Sequence, residues 1–136
     1  MNVEVLKKKD IKSYMEHIKR IFDYDVSEDI IEKLIRKNKV LIIKKDDVIV
    51  ASVIVEERFE YIKNKKYYKL EYLGVSKQYR REGLATKLFE KIEEMIKENN
   101  IDYIELTSGN QRRGAYYFYK SKHFKIKDTT VFVKFY

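Results

Sequence analysis

The sequence predicts a mixed α/β fold, a sheet with helices on both faces, and three observations carry that reading. Apolar residues recur at helical spacing in several separate stretches. Runs rich in β-branched and aromatic residues lie between and after them. No proline and only four glycines punctuate the 136 residues, so nothing reads as a linker, and one domain spanning 1–136 is expected.

Each element follows from its own pattern. "VEVL" at 3–6 is a short strand. From Asp10, expected as an N-cap, Ile11, Tyr14, Met15, Ile18, Ile21 and Phe22 mark one helix face. An acidic connection, "DYDVSED" at 23–29, holds Ser27 where it would cap a second helix carrying Ile30, Ile31, Leu34 and Ile35. In "KVLIIKKDDVIVASVIVEERFEYI" at 39–62, Asp46-Asp47 separates two β-branched runs, which predicts a hairpin. "KYYKLEYLGVS" at 66–76 is a third strand of this group. Leu84, Leu88, Phe89, Ile92, Met95 and Ile96 form one face of a helix running to about Asn99. "IDYIELTS" at 101–108 returns to strand, Ala115, Phe118 and Tyr119 fall in a shorter helix, and "FKIKDTTVFVKFY" at 124–136 reads as a closing strand pair. The order is β-αα-βββ-α-β-α-ββ.

Composition narrows the function classes. Thirty basic against 22 acidic residues leave a formal charge of +8, which favours polyanionic partners or reflects plain lysine enrichment. The absence of cysteine excludes disulfides, cysteine metal sites and a cysteine nucleophile. His17 and His123 are too few for a metal cluster, and no metal is expected. No stretch approaches the ~18 consecutive apolar residues of a membrane span. "MNVEVLKKKD" lacks the apolar core of a signal peptide, so a cytoplasmic location is the default expectation.

The stretch "QYRREGLATKL" at 78–88 spends a rare glycine, Gly83, between two arginines and a helix. Helix-terminal N–H groups there would sum with the helix dipole into an anion site, with Arg80 and Arg81 adding charge. A solvated surface turn is the alternative. The dinucleotide pattern G-x-G-x-x-G is absent. "GNQRRGAY" at 109–116 has P-loop glycine spacing without the Lys-Ser/Thr that such a loop needs.

"LGVSKQYRREGLATKLFEKI" at 73–92 resembles the cofactor motif of the GCN5-related N-acetyltransferases, the GNAT family. Arg80-Arg81-Glu82-Gly83-Leu84-Ala85 matches that family's Arg/Gln-x-x-Gly-x-Gly/Ala. "AYYFYKSKHFK" at 115–125 resembles its second signature, with His123 where a glycine is usual. Arg112 replaces an asparagine often found three residues before the alanine, and Asn110 is out of register.

The resemblance implies a mainly antiparallel GNAT-type sheet with a central splayed strand pair, near 70–75 and 101–108. It implies acetyl-CoA as cosubstrate, its pantetheine gripped by the main chain of Leu73, Gly74 and Val75, its pyrophosphate by the amides of Arg81, Glu82, Gly83, Leu84, Ala85 and Thr86 beside Arg80. Acetyl would pass to a primary amine by direct attack in a ternary complex. Tyr119 matches the tyrosine that protonates the departing thiolate, since a phenol of pKa about 10 is protonated at neutral pH. Glu71 is the candidate base, on the same face as Leu73 if no bulge intervenes, with Glu57 and Glu105 as further strand carboxylates.

The acceptor would be a small-molecule or peptide amine, met by the acidic loop around Asp23, Tyr24, Asp25, Glu28 and Asp29. A homodimer is compatible with the aromatic C-terminus. Two rivals remain open at this point. One is a GNAT-like fold that binds acyl-CoA without catalysis. The other is a basic nucleic-acid-binding module suggested by "YIKNKKYYK" at 61–69, which carries no recognised nucleic-acid signature.

Overall fold

A computed structural model describes residues 1–109 and 113–136 and divides them into two compact units, Met1–Leu106 and Thr107–Tyr136. The first holds β1 (Val3–Val5), α1 (Ile11–Phe22), α2 (Glu28–Lys37), β2 (Lys39–Lys45), β3 (Val48–Glu60), β4 (Lys65–Val75), α3 (Leu84–Asn99) and β5 (Tyr103–Leu106). The second holds α4 (Arg113–Ser121).

The five strands lie in chain order in one sheet. The first four pair antiparallel, and β4 pairs parallel with β5. Crossing back to a parallel strand requires a long connection, and α3 supplies it. The mixed, mainly antiparallel sheet is as expected.

The strands are nearly continuous apolar runs because both sheet faces are covered. Val40, Ile42 and Ile54 pack with Ile11, Tyr14 and Ile18 of α1 and Ile31 of α2. Alternation turns Leu41, Ile43, Val53 and Val55 to the reverse face, where they are buried and where α3 brings Leu88, Phe89, Ile92 and Met95.

Local chemistry sets the turns. Asp46 and Asp47 both take left-handed angles (φ 51° and 62°), as a two-residue hairpin turn with the sheet's own twist requires. Ser27 Oγ accepts a hydrogen bond from Ile30 N–H at 3.3 Å and caps α2 as expected. Asp10 takes the N-cap position of α1 as expected, but its side chain makes no capping hydrogen bond. It is nearly buried, and its carboxylate reaches across to Lys44 Nζ at 2.8 Å, because a buried charge needs a counter-charge more than the helix end needs a cap.

The closing strand pair at 124–136 does not form. Alternating apolar residues propose strands, but the alternation does not supply backbone pairing, and no ladder joins residues 124–136. Phe132 and Phe135 stand 91 % and 87 % exposed.

The second unit has one well-defined stop. At the end of α4, Phe124 N–H donates to Tyr119 O and His123 N–H to Lys120 O, both at 3.1 Å. His123 takes φ 69°, and the Phe124 ring meets that of Tyr119 at 5.6 Å between centroids. This is a Schellman motif complete with its apolar contact. His123 therefore keeps the left-handed turn that glycine would adopt without strain. His123→Gly is expected to stabilise this turn by about 1 kcal/mol. Amide exchange at Phe124 should slow accordingly; unchanged or faster exchange would contradict the strain at His123.

Candidate functional site

The site grows from the end of β4. Its ladder with β5 runs from Tyr67–Tyr103 to Leu70–Leu106 and stops there, while β4 continues to Val75. On its other side β4 stays paired with β3 as far as Ala51–Val75. Residues 71–75 therefore carry an edge with no ladder partner on the β5 side among the described residues. Backbone groups on such an edge are available to a ligand amide.

A bulge shapes this edge. Ile54 pairs with Glu71 and Ser52 with Gly74, so three steps on β4 answer two on β3. Tyr72 absorbs the extra residue with φ 50°. Paired residues share a face, so Glu71 faces the same side as Gly74 rather than Leu73, and the simple alternation between Glu71 and Leu73 is broken. That side is covered by α1: a Cβ on Gly74 would lie 2.9 Å from Ile21 and Phe22 side-chain atoms. Gly74 is thus a close-approach glycine. The Glu71 carboxylate lies 3.9 Å from the Arg58 guanidinium.

From Val75 the chain makes one 3-10 turn, Lys77–Tyr79, and enters a loop ending at α3. Ser76 N–H donates to Val50 O at 2.7 Å and anchors the loop to the sheet. Arg80 folds back, Nε donating to Val75 O at 3.2 Å, so one guanidinium edge is fixed beside the unpaired strand. Arg81 and Gly83 both take left-handed angles (φ 67° and 79°). No side chain caps α3, and its first turn has no acidic residue. The N–H groups of Leu84, Ala85 and Thr86 have no carbonyl one turn earlier within the helix, leaving donors and a positive dipole end beside two arginines. An uncapped helix start of this kind suits an anion.

Strand edge, bulge and uncapped helix follow one another in a single chain segment. The chain matches the model of the Acetyltransferase (GNAT) family over residues 8–124. The chain belongs to the GNAT family of acetyltransferases. A comparison with curated proteins finds no match. Among solved structures this GNAT chain resembles the ribosomal-protein-alanine N-acetyltransferase of Brucella melitensis biovar Abortus 2308, with TM-score 0.84 and 16% identity over 100% of each chain. It also resembles an aminoglycoside antibiotic 6'-N-acetyltransferase of Acinetobacter haemolyticus (TM-score 0.82, 19% identity, 100% of this chain and 99% of that one). A transcriptional regulator of Bacillus halodurans C-125 aligns with TM-score 0.85 at 18% identity, covering 98% of this chain and 99% of the other. Likeness at such identities speaks for the fold.

The other sequence-derived residues of this GNAT chain fall as follows. Tyr119 lies on α4 in the second unit, between Phe118 and Phe124, at 5.7 and 5.6 Å between ring centroids. Glu105 is on β5, and Glu57 lines a separate cavity. Asn110 and Arg112 lie outside the described residues. In the connection between α1 and α2, Asp23 and Asp25 both pair with Lys19, at 2.9 and 3.3 Å.

Sequence reasoning missed Tyr72. The bulge turns its ring onto Phe22 and Tyr24, edge-on at 5.1 and 6.3 Å, and joins the acidic loop to the strand edge through an aromatic wall. Tyr24 and Tyr72 remain 57 % and 46 % exposed. Strand alternation alone would have put Tyr72 on the opposite face, so no local signal pointed to it. Among the described residues there is no metal-holding group of His, Cys, Asp or Glu, and no helix is long and apolar enough to cross a membrane.

Proposed function

We propose that this chain is an acyl-CoA-dependent N-acyltransferase that moves acetyl from acetyl-CoA to a primary amine by direct attack in a ternary complex. The observation that carries the reading is the uncapped start of α3 at Gly83, reached from a β4 edge without a ladder partner at residues 71–75. The helix start suits the pyrophosphate, and the edge offers main-chain partners at Leu73 and Val75 to the pantetheine amides, with Gly74 between them paired to Ser52 of β3. Arg80, already turned towards Val75, adds charge at the junction.

Acetyl-CoA would supply an activated thioester. The amine nitrogen bonds to the carbonyl carbon, the carbon–sulfur bond breaks, and the sulfur takes a proton. In this reading Tyr119 gives that proton, and Glu71 accepts one from the ammonium form of the acceptor directly or through water. The Schellman turn that holds the Tyr119 ring against Phe124 supports a fixed role for it. The aromatic wall of Phe22, Tyr72 and Tyr24 beside an acidic loop supports an acceptor that is a cationic amine with an apolar portion.

The test is thiol release from acetyl-CoA by the full chain across a panel of small and peptide amines. Amine-dependent release is expected, and Tyr119→Phe should lower turnover at saturating substrate about tenfold or more, ~1.4 kcal/mol in barrier. Undiminished turnover would remove Tyr119 as the acid. Acetyl-CoA binding with no release across the panel would favour a binding protein without catalysis.

A further inference from the structure

A cavity lies within the first unit, at the end of α3 away from Gly83. It has a volume of about 410 Å³ and opens where α2 passes into β2. Arg36 and Lys37 from the last turn of α2 and Lys39 from the start of β2 stand on one side, with Glu57 of β3, Tyr68 of β4 and Asn99 of α3 completing the polar lining. The length of α3 separates it from the phosphate-type cradle, about 24 Å at ~1.5 Å per residue.

The charges around this cavity are unbalanced. Like most cations of this lysine-rich chain, Arg36, Lys37 and Lys39 make no ion pair among the described residues, and neither does Glu57. Cations in the last turn of α2 complement that helix's carbonyl end, which accounts for Arg36 and Lys37. Lys39 lies beyond the helix and adds like charge to both. Inside, Asn99 Nδ2 donates to Tyr68 Oη at 3.1 Å and to Met95 O at 3.0 Å. Those bonds orient the amide, leaving its Oδ1 as an acceptor and the Tyr68 hydroxyl hydrogen as a donor.

Three cations and a carboxylate that make no ion pair line this one cavity together with an oriented amide, and they match a ligand that carries both charges. We propose that this cavity binds a small zwitterion of net negative charge, the chemistry of an acidic amino acid. Its carboxylates meet the Arg36–Lys37–Lys39 rim and its ammonium meets Glu57 and the Asn99 amide oxygen. The site is separate from the acyl-transfer site and does not depend on that reading.

Backbone-amide NMR of the full chain, titrated with L-glutamate and in parallel with glutarate, tests it. Saturable shifts are expected at 36–39, 55–57, Tyr68 and Asn99, with L-glutamate preferred over glutarate. The double variant Arg36→Ser, Lys39→Ser should weaken binding about tenfold or more. Glu57→Gln should remove the preference for L-glutamate while glutarate still binds. All three positions are exposed, and melting curves check that the variants fold. Shifts confined to residues 80–86, shifts that never saturate, or affinity unchanged in the double variant would each overturn the proposal.

Discussion

Gly83→Glu is expected to weaken acetyl-CoA binding about a hundredfold or more, because a carboxylate within about 4 Å of a phosphate opposes it by several kcal/mol at an effective dielectric near 20. The fold should survive the change. A Cβ at Gly83 would meet nothing within 4 Å, and a carboxylate is welcome at a helix start. What remains is the cost of φ 79° for an L-residue, about 1–2 kcal/mol. Gly83→Ala carries that strain without the charge and separates the two effects. Calorimetric titration at two salt concentrations should show near-wild-type affinity for the alanine variant and loss for the glutamate variant, with the wild type weakening as salt rises. Equal affinity in wild type and Gly83→Glu would place the phosphates elsewhere.

Protonation of His17 should destabilise the first unit as pH falls. His17 is fully buried on α1, and its ring nitrogens make no hydrogen bond of good geometry among the described residues, the backbone at Ile49 and Gly74 being their nearest polar neighbours. Burial pushes its pKa down from 6.5 to about 4, Arg20 adds repulsion, and the backbone at Ile49 and Gly74 offsets only part of this. The folded-state pKa lies below the unfolded one, so the neutral ring's contribution is complete above about 6.5 and is lost as pH falls towards about 4. The loss is on the order of 3 kcal/mol at one unit per 1.36 kcal/mol. His17→Leu keeps a side chain of similar bulk and removes the proton site. Melting temperatures of the two proteins should converge or cross as pH rises, and the variant's decline between pH 6.5 and 4 should be shallower. Carboxylates titrate in both proteins and cancel in the comparison. Parallel melting curves across that range would show that His17 is not the acid-sensitive group.

Legibility followed the range of the cause. Asp46-Asp47, Ser27 and Gly83 could be read directly, because a left-handed turn, a helix cap and a helix start are decided within about four residues. The apolar faces of α1, α2 and α3 were equally plain from spacing. The motif from Arg80 to Ala85 carried the family and pointed to the uncapped helix start at Gly83. Asp10 stands at the N-cap position as read, but the use of its carboxylate was not legible, because its partner, Lys44, lies 34 positions away and no local rule weighs a cap against a distant counter-charge. The C-terminal alternation was misread as a strand pair because period-2 patterning says nothing about an available edge.

By itself, then, the sequence determined the fold class, the order of the elements through α4, and the loop that opens α3 beside Arg80 and Arg81. Tertiary structure alone decided the bulge at Tyr72, which moves Glu71 onto Gly74's face and sets Tyr72 against Phe22 and Tyr24. It also decided that Gly74 lies under α1 and that His17 is fully buried. The physical reason is the same in each case. Backbone angles and periodicity are set by neighbours in the chain, whereas register, close approach and desolvation depend on residues that become neighbours only on folding.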